Sequence, residues 1–146
     1  MSMHSFQMRL IKALANGDRV LWGETEDGKI VLADGVVAMV IPRDMVELDL
    51  SKCKQYDLSF WLRNFNNSQL ATKGAHGEAY TGNKHVPATR FDAAESSWAW
   101  VQDRFLKEFP SSSEAFISPG LSPVYIVYKD ELRGWIMPVR KWKEGD

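Results

Sequence analysis

Cysteine is nearly absent from this sequence, since Cys53 is the single cysteine among 146 residues. One cysteine excludes an internal disulfide and a zinc site built from several thiolates, and it fits a reducing compartment. The histidines His76 and His85 show no ligand spacing of the usual kind with Cys53. We therefore expect neither a metal nor a cofactor.

Long apolar runs are also missing, because the longest covers only residues 36–41. A helix that spans a membrane needs about 20 predominantly apolar residues. The first ten residues, MSMHSFQMRL, show no apolar stretch leading to a small-residue cleavage site. These features predict a cytoplasmic protein with no membrane partner.

A strong excess of either charge is lacking, since 18 basic and 19 acidic side chains leave a formal net charge of −1. This balance excludes a generic polycation that coats nucleic acid, so any contact with nucleic acid requires a local patch. The sequence also has no phosphate-binding glycine loop, no Gly-x-Ser-x-Gly elbow and no His-Glu-x-x-His pair. We expect a non-enzymatic protein without catalytic residues, and an enzyme assembled from distant positions stays open as an alternative.

The first third of the chain predicts a helix followed by three strands. Phe6, Leu10 and Leu14 form an apolar stripe at helical spacing, and Asn16-Gly17 is typical of a helix end. Strand-like segments follow at 20–24, 29–33 and 36–41, separated by the turn pairs DG at 27–28 and DG at 34–35. The pattern indicates an antiparallel meander that ends at Pro42.

The same order of elements is predicted again from residue 91 onward. Asp92 has the position of a helix cap with Glu95 reaching back, and the stripe expected to be buried is Trp98, Val101, Phe105 and Phe109. Strand candidates follow at 115–117, 124–128 and 134–137. Between the two halves, residues 57–65 predict a short helix, and the following residues predict one or two irregular strands near 79–80 and 86.

Two local matches favour an internal duplication. The segment RLIK at 9–12 corresponds to RFLK at 104–107, and Pro42 corresponds to Pro138. We predict an α+β fold in one domain, 1–146, with two helix-plus-antiparallel-meander repeats whose helices pack on one face of the sheets. Its parts are repeat 1 at about 5–50, an irregular insertion at about 51–90, repeat 2 at about 91–140 and a basic tail at 141–146.

This arrangement resembles a domain of the bacterial DNA sliding clamp, the β subunit of the replicative polymerase. The segment KIVLADG at 29–35 is similar to a clamp strand that runs into Thr-Asp-Gly. The segment SPVYIVYKDELRGWIMPVR at 122–140 resembles the closing clamp strands, which end in Met-Pro-Met-Arg. Clamps contain three such domains in each chain, whereas this chain has enough residues for one.

The resemblance implies two binding surfaces. The family's closing segment lines a pocket for short peptides, which implies partner-peptide contacts at Met137, Pro138, Val139 and Arg140. The family's helices face DNA, which implies weak phosphate contacts at Arg9, Lys12, Arg104 and Lys107. The expected function is a clamp-like accessory binding module in DNA transactions, of the kind encoded by a phage or mobile element.

A second function is left open by the residues themselves. Trp142 lies between two lysines, and an exposed indole beside cations is typical of a protein-interaction anchor. The alternative is therefore a protein-interaction or assembly domain without nucleic-acid binding. Its partner is either another protein or a further copy of this chain in a homo-oligomer.

Overall fold

The computed structural model describes residues 3–81, 83–94, 97–119, 122–139 and 142–144. Within these ranges the chain has an α+β fold with three α-helices and eleven β-strands. The elements in chain order are α1 (Met3–Ala15), β1 (Leu21–Glu24), β2 (Ile30–Ala33), β3 (Val37–Ile41), β4 (Lys54–Gln55), α2 (Ser59–Asn66), β5 (Gln69–Thr81), β6 (Lys84–Asp92), β7 (Trp98–Gln102), α3 (Asp103–Leu106), β8 (Glu114–Ile117), β9 (Val124–Tyr128), β10 (Glu131–Ile136) and β11 (Trp142–Glu144).

The strands form one continuous mixed sheet. Ten of them follow the order β4-β1-β2-β3-β10-β9-β8-β5-β6-β7, and β11 pairs with β5 off this path. The two predicted meanders are present as β1–β2–β3 and β8–β9–β10, and every pairing within them is antiparallel. They meet where β3 pairs with β10, so the two halves of the chain share one sheet.

Helix α1 begins and ends close to where its apolar stripe predicts. Phe6 and Leu10 are buried on its inner side. At its C-terminus the amide of Gly17 donates to the carbonyl of Leu14, and the amide of Asp18 donates to the carbonyl of Ala13. Gly17 has a φ of 84°, so these bonds form the left-handed cap that the Asn-Gly pair predicts.

The central strands are buried on both faces, which explains their almost uninterrupted apolar sequence. On β2, Ile30 and Leu32 belong to the core beneath α1 and α3, whereas Val31 belongs to a second core beneath α2. The side chains of β3 alternate between the same two cores. Helices α1 and α3 thus contribute side chains to one core, and α2 packs against the other.

Helix α2, which confirms the short helix predicted at 57–65, is held to the sheet by aromatic packing and hydrogen bonds. The Trp61 ring stacks on the Trp135 ring of β10, with 6.0 Å between the ring centroids. The Asn64 side-chain amide donates to the Tyr125 hydroxyl at 2.8 Å, and that hydroxyl donates to the Trp61 carbonyl at 2.8 Å.

The prediction of a long second helix after Asp92 is wrong. Residues 98–102 form strand β7, which pairs with β6, and helix α3 covers only one turn. Val101, Phe105 and Phe109 are buried as the helical stripe predicts, but Trp98 is 39% exposed and Trp100 is fully buried. Because β6 supplies backbone hydrogen bonds along this segment, tertiary pairing overrides the helical pattern. The proposed capping partner Glu95 lies outside the described residues.

The segment expected to be an irregular insertion is more regular than the sequence indicates. It contains a long hairpin of β5 and β6, which includes the strand positions predicted near 79–80 and 86. The α+β class is thus established. The internal duplication stays a prediction. The helices of its two repeats differ in length, since α1 has 13 residues whereas α3 has four.

Candidate functional site

Arg9, the first predicted phosphate contact, joins elements of the protein to one another. Its Nη1 donates to the Glu108 carboxylate in a short contact, and its Nη2 lies 3.5 Å from Oδ2 of Asp34. Its guanidinium carbon lies 5.1 Å from the ring centroid of Phe6 and 5.8 Å from that of Phe105. Two carboxylates therefore already neutralise Arg9, which leaves it poorly suited to hold a phosphate.

The contact with Arg9 also affects the pKa of the Glu108 carboxyl. Burial raises the pKa of its carboxyl above the ordinary value, and the charge and hydrogen bond of Arg9 oppose that rise without overcoming it. Burial therefore disfavours the charged form of the carboxyl group. Through Arg9, the same group links α1 to the segment that follows α3. Its role in this geometry is structural.

The other three predicted phosphate contacts are exposed. Arg104 donates from Nε to Oε1 of Gln102 at 3.1 Å, and its guanidinium carbon lies 4.5 Å from the Phe105 ring centroid. Lys12 follows Arg9 by one helical turn, and Lys107 follows α3 directly. Within the described parts of the chain, neither of these lysines nor Arg104 forms an ion pair with a carboxylate.

The predicted peptide-binding residues at the end of the chain are engaged in the fold. The amide of Met137 donates to the carbonyl of Val36 at 2.7 Å and so extends the β3–β10 pairing. The amide of Val139 donates to the carbonyl of Trp100 at 2.8 Å, and its side chain packs on the small core around that indole. Pro138 is half-buried between them.

Two further residues were predicted to contact a partner, Arg140 in the same segment and Trp142 in the basic tail. Trp142 lies in β11, where its backbone pairs with Ala79 of β5. Arg140 lies outside the described residues. The backbone amides of Met137 and Val139 are therefore used within the fold, and peptide binding by this segment stays a prediction.

A cleft of about 810 Å³ opens beside β5, β8 and α3, and the sequence did not predict it. Its apolar lining includes Phe91, Phe109 and Ile126, whose side chains are at most 7% exposed. Lys73 and Lys107 also line it and are exposed. Volume and lining are in the range of small-molecule sites in proteins. Leu70 also lines the cleft and is a large apolar residue with 53% exposure.

The remaining titratable groups offer no assembled metal centre. Among the residues the structure describes, no three His, Cys, Asp or Glu side chains lie where they could hold one ion.

The thiol of Cys53 has a raised pKa, because burial and then the nearby charge of Asp49 disfavour the thiolate. No helix in the described ranges is long and apolar enough to cross a membrane.

Comparison with known proteins adds no relative to these observations. No protein-family model, curated protein or solved structure matches the chain. The geometry of its surfaces is therefore the basis for a functional proposal.

Proposed function

We propose that this protein is a non-enzymatic accessory module that contacts the phosphates of duplex DNA through Lys12, Arg104 and Lys107. The observation that carries the proposal is that these three cations are exposed on adjoining elements and form no close ion pair with a carboxylate within the described residues, although the charge of Arg104 also acts on Glu108. The Arg9–Glu108 contact joins α1, which carries Lys12, to the segment that carries Arg104 and Lys107, and this supports a shared phosphate-binding surface.

The number of cations sets how strongly the affinity for DNA should depend on salt. Binding that neutralises three phosphates releases counterions with a slope of about −2.7 in log affinity against log salt, and affinity should fall about 40-fold between 50 and 200 mM salt. Such contacts position a protein on a duplex and carry no sequence information. Weak, sequence-independent binding is therefore expected.

A salt titration of binding to a fluorescent DNA duplex, followed by anisotropy, tests this function. The triple variant Lys12→Ala, Arg104→Ala, Lys107→Ala should lose most of the binding and flatten the salt slope. Lys84→Ala is the matched control, because it removes an exposed cation at the tip of the β5–β6 hairpin. No binding at low salt, or an equal loss in the control, contradicts the proposal.

A protein-interaction or assembly domain is the second candidate, and Trp98 is the observation that favours it. This indole is 39% exposed on β7, the last strand of the sheet path, and the Arg90 guanidinium carbon lies 4.8 Å from its ring centroid. Exposed Trp and Arg are enriched among the residues that dominate protein interfaces.

Light scattering over a range of protein concentrations tests the form of this candidate in which the partner is another copy of the chain. The mass should rise with concentration in the wild type and stay monomeric in Trp98→Ala. A monomeric mass of the wild type at high concentration contradicts self-association and also contradicts a ring that encircles DNA.

A further inference from the structure

The cleft between β5, β8 and α3 combines two kinds of surface. Its floor is apolar and continuous with the main core, because Phe91, Phe109 and Ile126 belong to both. Leu70 and Leu106 extend the apolar lining toward the outside, where Leu70 is largely exposed. The CH₂ groups of an apolar ligand seated on this lining leave water, which favours binding.

The charged groups of the cleft are unbalanced. Lys73 and Lys107 contribute two positive charges, and Glu114 contributes one negative charge. In the described ranges no ion pair joins either lysine to a carboxylate, Glu114 included. The hydroxyl of Ser113 is already used, since it donates to the carbonyl of Pro110 at 2.6 Å. The two ammonium groups therefore give the cleft a net positive charge.

From this juxtaposition we propose that the cleft binds a small organic carboxylate with an apolar body, such as a medium-chain alkanoate. The alkyl chain lies on Phe91, Phe109 and Ile126, and the carboxylate accepts hydrogen bonds from Lys73 and Lys107. This site overlaps the proposed DNA contact only at Lys107, because Lys12 and Arg104 do not line the cleft. Lys107 belongs to both surfaces, so a bound carboxylate is expected to compete with DNA for that one cation.

Titration calorimetry with decanoate, below the concentration at which it forms micelles, tests the proposal directly. Hexanoate, octanoate and decanoate should bind with affinities that rise about two- to fourfold per added CH₂. Decanol and inorganic phosphate serve as probes for the apolar body alone and the anion alone, and each should bind at least tenfold more weakly than decanoate. Equal binding of decanol, equal binding of phosphate, or affinity that does not change with chain length overturns the proposal.

Variants locate the site. Lys73→Ala with Lys107→Ala should weaken decanoate about tenfold at low salt, because exposed ion pairs each contribute modestly. Leu70→Ser should weaken it about fivefold without unfolding the protein, since Leu70 is exposed. Lys12→Ala with Arg104→Ala is the control and should leave decanoate binding unchanged while it weakens DNA binding. Decanoate affinity that is insensitive to Lys73, Lys107 and Leu70 places the ligand elsewhere and overturns the assignment.

Discussion

A single buried side chain, Gln7, ties α1 to the segment that follows the first meander. It is fully buried, and its Oε1 accepts hydrogen bonds from the amides of Glu47 at 2.6 Å and Leu48 at 3.3 Å. Its Nε2 donates to the carbonyl of Met45 at 3.0 Å. A stretch with little regular structure of its own thus obtains backbone hydrogen bonds from a helix side chain.

Replacing that amide gives a sharp stability prediction. Gln7→Leu removes the polar partner of three backbone groups, of which the Leu48 amide is buried, so we expect the free energy of unfolding to fall by about 1–3 kcal/mol. Gln55→Leu, at an exposed position of β4, is the matched control and should change it by less than about 0.5 kcal/mol. Urea denaturation measures both. A loss in Gln7→Leu no larger than in the control contradicts the role assigned to the buried amide.

Glu108 gives a prediction about pH. Its folded-state pKa is raised above the ordinary value of 4.5, mainly by burial, so the folded protein binds its proton more tightly than the unfolded chain does. The stability that this proton contributes is fully present below pH 4.5 and is lost as pH rises through the raised pKa. In Glu108→Gln that loss should disappear.

The comparison between wild type and Glu108→Gln isolates this one group, because the other carboxylates titrate in both proteins. We expect the difference in unfolding free energy to move in favour of the Gln variant as pH rises from 4.5 toward neutrality. Urea denaturation at several pH values measures it. A difference that moves in the opposite direction means that the ion pair with Arg9 outweighs burial and lowers the pKa.

At the scale of elements, β7 shows how a helical and an extended pattern differ. A helix places Trp98 with Val101 and Phe105 on one buried face, whereas a strand points Trp98 and Trp100 to the same side of the chain. In the structure Trp100 lies in a small core with Ala79 and Ala88, while Trp98 lies near the edge under Arg90. Burial of Trp100 thus depends on its neighbours β5 and β6, which local sequence does not identify.

The two tryptophans make a matched pair for testing β7. Trp100→Ala leaves a cavity and should lower the free energy of unfolding by about 3–5 kcal/mol. Trp98→Ala removes a partly exposed ring and its contact with Arg90, which should lower it by about 1 kcal/mol or less. Thermal and urea denaturation compare them. Were Trp98 the more sensitive position, the helical interpretation of this segment would be restored.

At the scale of the whole molecule, the parts predicted well are those with local causes. Both meanders follow from short apolar segments and turn residues such as Gly28 and Gly35, whose φ values of 85° and 98° need glycine. The parts missed depend on distant partners. Strand β5 pairs with β8 through residues 69–71 and with β11 through residues 77–79, and no local pattern specifies either. The cleft beside β8 was missed for the same reason.

The candidate sites also combine features with local causes and features that depend on distant residues. The cations Lys12, Arg104 and Lys107 were predicted from the clamp resemblance and from local charge spacing, and their contact with DNA stays a prediction. The engagement of Arg9 with Glu108 joins residues 99 positions apart, so spacing alone left Arg9 among the DNA contacts. Lys73 was missed as a cleft residue because β5 brings it there through its pairing with β6 and β8.

The junction of the two meanders depends on Gly134. This residue of β10 pairs with Met39 of β3, and a Cβ added to it would lie 2.1 Å from the carbonyl oxygen of Ala38 and 2.9 Å from the Phe109 ring. Backbone oxygen cannot move aside as a flexible side chain can. Any side chain at this position therefore forces β3 and β10 apart, and these strands are the place where the first and second meanders join.

Gly134→Ala should consequently destabilise the whole molecule by about 3 kcal/mol or more, because overpacking is combined with a broken strand pair. Gly28→Ala is the control: it meets no atom within 4 Å, and its positive φ alone should cost about 1 kcal/mol. Urea denaturation compares the two, and hydrogen exchange at Met39 and Ile136 reports the junction itself. Equal losses in both variants, with unchanged protection at these amides, would mean that the sheet accommodates a methyl group at the junction and that β3 and β10 do not depend on glycine for their contact.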